Sequence, residues 1–119
     1  MLKVQLHNLN KLQSYSLPSN SYISLTLGAS GTTYTAPADG WVYLRKAASS
    51  TDQYDSLYNR GLNGDEELVG NSARARTDSD APPIFIPVKK NDVFVCNYTM
   101  GGKLRYFIFV YAVGSEPQS

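Results

Sequence analysis

Few residues in this chain of 119 are suited to catalysis, because it contains a single histidine, His7, and a single cysteine, Cys96. A Ser-His-Asp or Cys-His-Asn triad requires an imidazole as its general base, and His7 lies near the start of the chain, at the edge of the patterned segment. Cys96 lies within an apolar run on the side of Phe94 and Tyr98, with no basic neighbour in sequence to activate a thiolate. We therefore predict that the protein is not an enzyme and that Cys96 is an inert core residue.

Two carboxylate clusters are the other candidates for chemistry, at residues 65–67 and at Asp78 with Asp80. Paired carboxylates hydrolyse glycosides, and oxygen clusters bind calcium. Neither cluster has the ligand spacing of a calcium loop, and acidic residues are common in solvated turns. The glycine-rich segments at 28–31 and 101–102 lack the Lys-Ser/Thr pair and the following helix of a phosphate loop. The sequence predicts no metal site and no cofactor.

Tyrosine and arginine side chains suggest a binding surface. Tyrosine rings stack on sugars and on protein surfaces, and a guanidinium group donates several hydrogen bonds in a fixed geometry. The candidate ligand-binding residues are Tyr54, Tyr58, Asn59, Arg60, Arg74 and Arg76. The alternative interpretation is that these tyrosines cover the edge of the fold. It is favoured because tyrosine is commonly half-buried in β proteins.

The elements that carry these residues are short runs in which apolar and polar side chains alternate. In residues 21–28, for example, Ile23, Leu25 and Leu27 alternate with polar residues, the period of a strand with one buried face. Strands are predicted at residues 21–28, 32–35, 41–46, 53–60, 67–74, 84–88, 93–100 and 103–113. The glycine segments at 28–31 and 101–102 are predicted to be hairpin turns. About eight strands predict an all-β fold, a jelly-roll-like antiparallel β-sandwich.

The length fits one domain. Residues 21–114 are predicted to form the sandwich, and residues 115–119 a flexible tail. Residues 1–20 are an amino-terminal strand or attachment segment, in which apolar positions fit both a strand and a helical stripe. The 11 basic and 10 acidic residues nearly balance, so no nucleic-acid partner is expected. We expect neither membrane insertion nor an export signal, because no apolar run is long enough and residues 1–10 lack signal-peptide features.

Residues 103–113 are apolar on both faces of the predicted strand. An antiparallel strand of a sandwich normally has one solvated face, so both faces of this strand must be covered. We predict that a second copy of the chain covers the outer face. The alternative is coverage by the amino-terminal segment or a long loop. The candidate interface residues are Tyr106, Phe107, Ile108, Phe109 and Tyr111.

Three blocks in fixed order resemble a known family: residues 34–44 (Tyr-Thr-Ala-Pro-Ala-Asp-Gly-Trp-Val-Tyr-Leu), 87–92 (Pro-Val-Lys-Lys-Asn-Asp) and 107–112 (Phe-Ile-Phe-Val-Tyr-Ala). They are similar to the carboxy-terminal domains of phage tail fibres and related virion appendage proteins, which are trimeric jelly rolls of the tumour-necrosis-factor-like kind. Asn91 stands where family members often have Gly, and Asn tolerates the same left-handed conformation. The resemblance covers residues 21–114.

This resemblance implies a non-enzymatic virion structural protein, either a receptor-binding tail-fibre tip or a decoration subunit. Its expected partners are two further copies of itself in a homotrimer, other virion proteins, and a host surface glycan or protein. Its expected location is the virion. The alternative is a monomeric bacterial carbohydrate-binding or adhesion module with an aromatic surface that includes Trp41. A depolymerising enzyme is a third possibility, which would require paired carboxylates about 5 to 9 Å apart in a cleft.

Overall fold

The computed structural model describes residues 16–76 and 79–117. Within these residues the chain is all-β. The strands are β1 Pro18–Ser24, β2 Thr33–Thr35, β3 Gly40–Lys46, β4 Gln53–Asn59, β5 Val69–Ala75, β6 Ile84–Val88, β7 Val93–Tyr98 and β8 Leu104–Ala112. In this part of the chain no helix is long and apolar enough to cross a membrane. The predictions made for residues 1–15, for His7 and for Asp78 lie outside the described residues.

The strands form two antiparallel sheets of four, with the orders β1-β8-β3-β6 and β2-β7-β4-β5. We call them the β3–β8 sheet and the β4–β7 sheet. The pairing is nested: β1 pairs with β8, β2 with β7, β3 with β6, and β4 with β5. This is the arrangement of a long hairpin rolled into two facing sheets, the jelly roll. The predicted fold class is confirmed.

The first strand differs from its prediction. It runs from Pro18 to Ser24 rather than from 21 to 28. Leu25 and Leu27 follow the strand and pack against the core, whereas Ile23 is 40% exposed. The reason is position, because β1 is an edge strand of its sheet and therefore has a neighbour on only one side.

Both predicted hairpin turns are wrong, because each connects one sheet to the other. Residues 28–31 lead from β1 to β2, and residues 101–102 lead from β7 to β8, and neither pair of strands is adjacent. Gly102 lacks the positive φ that a primed turn requires. Its N–H donates to the Ala47 carbonyl at 2.9 Å, and a Cβ added to it would lie 2.5 Å from the same oxygen. Close backbone approach therefore explains this glycine.

The core lies between the sheets and is built from the inward residues of both. Tyr34 links them, because its ring centroid is 5.3 Å from that of Phe94 and 5.3 Å from that of Phe107. Cys96 is buried, as predicted, and desolvation raises the pKa of its thiol to about 12. Asn91 adopts a φ of 73° in the turn before β7, the left-handed conformation anticipated at this position.

Candidate functional site

The outer face of the β3–β8 sheet carries large apolar side chains in neighbouring rows. In one row Tyr22, Val110 and Trp41 lie side by side on adjacent strands. In the next row Ile108 and Tyr43 are followed by Phe85. We call this surface the aromatic face, defined by Tyr22, Trp41, Tyr43, Phe85, Tyr106, Ile108 and Val110.

The Phe85 ring contacts two other rings of the aromatic face. The centroid of Phe85 is 5.4 Å from that of Tyr43, nearly parallel at 27°, and 5.9 Å from that of Trp41. Phe85 nevertheless remains 46% exposed, and Tyr22 61%. Burial, with a contribution from nearby Tyr106, raises the pKa of the Tyr43 hydroxyl. A contiguous apolar patch of this kind is uncommon on a monomeric protein and is typical of an interaction surface.

Only two of the five predicted interface residues lie on this face. Tyr106 and Ile108 point outward, whereas Phe107 and Phe109 are 2% and 0% exposed and fill the core. Tyr111 packs on the core side, with its ring centroid 5.0 Å from that of Phe109. Phe107, Phe109 and Tyr111 therefore belong to the inner face of β8 and are not available to a partner on the aromatic face. Sequence alternation separated the two sets of residues without showing which set faces outward, since both are apolar.

The outer face of the β4–β7 sheet is polar along β4 and β5. Its central residues pair across the two strands, Tyr54 with Arg74, Ser56 with Ser72, and Tyr58 with Gly70. We call these six residues the tyrosine face. The tyrosine face thus contains three of the predicted ligand-binding residues, Tyr54, Tyr58 and Arg74, and a fourth, Arg76, lies just beyond the end of β5.

The two tyrosines are held by different neighbours. The Arg74 guanidinium carbon lies 6.0 Å from the Tyr54 ring centroid, and Arg74 Nη1 donates to Asp52 Oδ1 at 3.0 Å. At the other end, the Cδ1–Cε1 edge of the Tyr58 ring lies against Gly70. A Cβ added to Gly70 would collide with this edge, so the ring can lie here only because the neighbouring residue has no side chain.

A cleft flanks each end of the tyrosine face. The cleft beside Tyr54 has a volume of about 420 Å³ and is lined by Thr51, Asp52, Arg74, Ala75 and Arg76. The cleft at the other end has a volume of about 330 Å³ and is lined by Tyr58, Glu67, Leu68, Val69, Gly70, Asn71 and Ser72.

Asn59, which was also predicted to bind a ligand, has a structural role, and Arg60 directly follows the end of β4. Asn59 is 0% exposed, and its Nδ2 donates to the Pro87 carbonyl at 3.1 Å and to Asp92 Oδ2 at 3.0 Å. It therefore ties β4 to the other sheet. The Nε atom of Arg60 is buried and has no hydrogen-bond partner among the described residues. The prediction for Asn59 is wrong. Asparagine is usually exposed to solvent, but this side chain faces inward and is buried.

Two charged residues that the sequence analysis did not single out lie inside the sandwich. Lys46 Nζ donates to the carbonyls of Met100 at 2.7 Å and Gly102 at 2.9 Å, and lies 5.1 Å from the Tyr98 ring centroid. Asp55 is 0% exposed, and neither carboxylate oxygen has a hydrogen-bond partner in the described structure. Burial raises the pKa of Asp55 to about 6 against the opposing charge of Lys46, and burial lowers the pKa of Lys46.

Among residues 16–76 and 79–117, no group of three or more His, Cys, Asp or Glu side chains could hold a metal ion. Asp80 instead accepts a hydrogen bond from Arg105 Nε at 2.7 Å, which lowers the pKa of its carboxyl. No protein-family model, curated protein or solved structure matches this chain. The two outer faces and the buried charges are therefore the features from which a function can be inferred.

Proposed function

We propose that the protein is a non-enzymatic structural subunit of a phage virion, a tail-fibre tip or decoration subunit whose copies assemble through the aromatic face. The observation that carries this proposal is the contiguous row of exposed and half-buried rings on the β3–β8 sheet. Covering such a surface removes apolar area from water, which drives association. The three sequence blocks that resemble phage appendage domains support the viral role.

The proposed assembly is a homotrimer with closed symmetry, as in the family that the sequence resembles. In a threefold ring each subunit presents one patch to one neighbour and a different patch to the other, and closure of the ring leaves no unpaired interface to promote open-ended association. β8 is central to this arrangement, because it lies between β1 and β3 and places Ile108 and Val110 in the middle of the face.

Assembly would serve attachment by multivalent binding. Three identical weak sites on one rigid head gain avidity without any new contact at each site. Such a head would be carried by other virion proteins and would contact a host surface or the particle itself. No turnover is part of this mechanism.

The proposal is tested by the solution mass of the purified chain, measured by light scattering after gel filtration over a range of concentrations. We expect three times the chain mass of 13.1 kDa for the wild type. The variant Ile108→Arg should elute as a folded monomer, because a charge in the centre of the aromatic face cannot be paired there. Thr33→Arg, on the exposed outer side of β2 in the other sheet, is the matched control and should keep the wild-type mass. A wild type that is monomeric at every concentration would contradict the proposal.

A second candidate function is a monomeric carbohydrate-binding or adhesion module of a bacterial protein. It is favoured by the same rings, because adjacent aromatic faces form a surface on which sugars stack. Trp41 is fixed there by its Nε1 hydrogen bond to the Ser16 carbonyl at 2.7 Å. A monomeric wild type whose sugar binding is lost on replacing Trp41 by Ala would favour this function.

A further inference from the structure

We propose that the tyrosine face is a binding site for an oligosaccharide, with Tyr54 and Tyr58 as its two stacking rings. This inference rests on the proposed function, in which neighbouring copies cover the aromatic face and leave the outer side of the β4–β7 sheet open. It assigns the attachment site to a sheet surface, whereas connecting loops would be the default location for a contact site.

The spacing of the two rings defines the size of the ligand. Tyr54 and Tyr58 lie on the same side of β4, and a rise of about 3.3 Å per residue separates them by about 13 Å. Between them lies Ser56, which is 3% exposed, and beside it Ser72 on β5. Only small side chains therefore lie between the two rings, and Ser56 is almost covered by its neighbours. One sugar ring cannot contact both tyrosines, whereas a short oligosaccharide can.

The Tyr58 ring is positioned by its contact with Gly70. The Cδ1–Cε1 edge of the ring lies against this glycine, where even a methyl group would collide with it. A glycine on an edge strand beside a cross-strand aromatic ring is a known way of stabilising a sheet. The ring also borders the cleft that contains Glu67, Asn71 and Ser72, where a ligand can reach it.

Polar groups at the Tyr54 end favour a sugar over an apolar partner. Asp52 and Arg74 have side chains that are 75% and 68% exposed, so both reach solvent although they pair with each other. A carboxylate and a guanidinium offer acceptors and donors for sugar hydroxyls. Between the two rings, β4 and β5 expose no large aliphatic side chain outward. A protein partner would be expected to require such a side chain as an anchor.

The charge of this end indicates which kind of sugar it takes. The cleft beside Tyr54 is lined by two guanidinium groups, Arg74 and Arg76, and by one carboxylate, Asp52, among the described residues. A planar guanidinium binds a carboxylate or sulfate in a bidentate manner. The ligand is therefore an oligosaccharide with an acidic sugar at the Tyr54 end.

The test uses an array of neutral and acidic oligosaccharides of two to six sugars, followed by calorimetric titration of the best acidic binder into the full chain. Replacing Tyr58 by Ala should weaken binding about tenfold, the value of one lost ring stack. Gly70→Ala should weaken binding similarly while Tyr58 is still present, because the added methyl displaces the ring. Arg76→Ala should remove the preference for acidic over neutral glycans. Thr33→Ala, on the same outer side of the sheet but on β2, is the control and should bind like the wild type.

Each outcome separates this inference from the proposed assembly, because the mass of every sample is measured alongside its binding. A trimer that binds no glycan on the array, or whose binding survives both Tyr58→Ala and Gly70→Ala, overturns the inference and leaves the assembly intact. A monomer that loses glycan binding in both variants supports the site and overturns the assembly. Equal binding of neutral and acidic glycans overturns the acidic specificity.

Discussion

The outer faces of the two sheets differ in chemistry although their inner faces share one core. On the β3–β8 sheet the outward positions hold Trp41, Tyr43, Phe85 and Ile108, and on β4 and β5 of the other sheet they are mostly Ser, Tyr and Arg. Folding favours apolar residues on the inner faces of both sheets, and it places no such demand on the outer ones. The outer residues therefore carry most of the information about what each surface contacts.

The largest expected effect on stability comes from comparing substitutions at an inner and an outer residue of the same strand. Phe109 and Ile108 are neighbours on β8, the first in the core and the second on the aromatic face. Phe109→Ala should lower the free energy of unfolding by about 3–5 kcal/mol, because it leaves a cavity in the core. Ile108→Ala should instead weaken assembly and change the stability of the isolated subunit much less.

Urea unfolding of both variants at the same low protein concentration, together with their masses, checks this prediction. A larger loss of stability for Ile108→Ala than for Phe109→Ala would mean that the aromatic face is packed within the subunit.

The inner faces also differ, because the β4–β7 sheet places a carboxylate in the core. The folded pKa of Asp55, about 6, lies above its ordinary value of 3.8, so the folded state binds this proton more tightly than the unfolded state. The resulting stabilisation is fully present below pH 3.8 and is lost as the pH rises through 6, a loss of about 3 kcal/mol. Asp55→Asn should remove this loss, so that stability changes less between pH 4 and 7 than in the wild type.

Denaturant unfolding at several pH values tests the effect, with Asp80→Asn as the control. Asp80 has a lowered pKa, so its contribution has the opposite sign: it is present above pH 3.8 and is lost as the pH falls. An Asp55→Asn variant with the pH dependence of the wild type would show that Asp55 is solvated. Three other side chains lie near Asp55: Lys46 and Cys96, which interact with it electrostatically, and Tyr98, which lies opposite it on β7 and donates its hydroxyl to the Gly28 carbonyl at 2.8 Å.

The smallest effect on stability is expected for a substitution on the tyrosine face. The ion pair between Arg74 and Asp52 is largely exposed on both sides, and such pairs contribute less than about 1 kcal/mol to stability. Arg74→Ala should therefore keep the thermal midpoint of the wild type within a few degrees, as followed by circular dichroism. A variant that unfolds would show that this arginine is structural and would weaken the distinction between the two faces.

Period-two alternation predicted the strands well where one set of side chains was clearly more apolar. In β3 it placed Val42 and Leu44 opposite Trp41, Tyr43 and Arg45, and both aliphatic residues are fully buried. Alternation was not sufficient for β8, where both sets are apolar. The register with β3, which places Phe109 beside Val42 and Phe107 beside Leu44, decides which set meets the other sheet.

Turn composition predicted the positions of the bends but not which sheet the following strand joins. Glycine at 101–102 is compatible with a hairpin and with a crossing between sheets, and the choice depends on strand pairs that are distant in sequence. The candidate site was likewise predicted in part: Tyr54, Tyr58 and Arg74 share a face, whereas Asn59 is buried. The interior positions of Lys46 and Asp55 were not predicted, because nothing in their local sequence distinguishes them from solvated strand residues.

The nested pairing of the strands has a consequence for biosynthesis. β1 leaves the ribosome first among the described strands, yet its partner β8 is the last of them. Contacts between segments so distant in sequence form late and slowly. β4 and β5 can pair early, whereas the β3–β8 sheet cannot close until β8 has been synthesised. The complete aromatic face therefore forms only after β8 has left the ribosome, and shorter nascent chains do not present it.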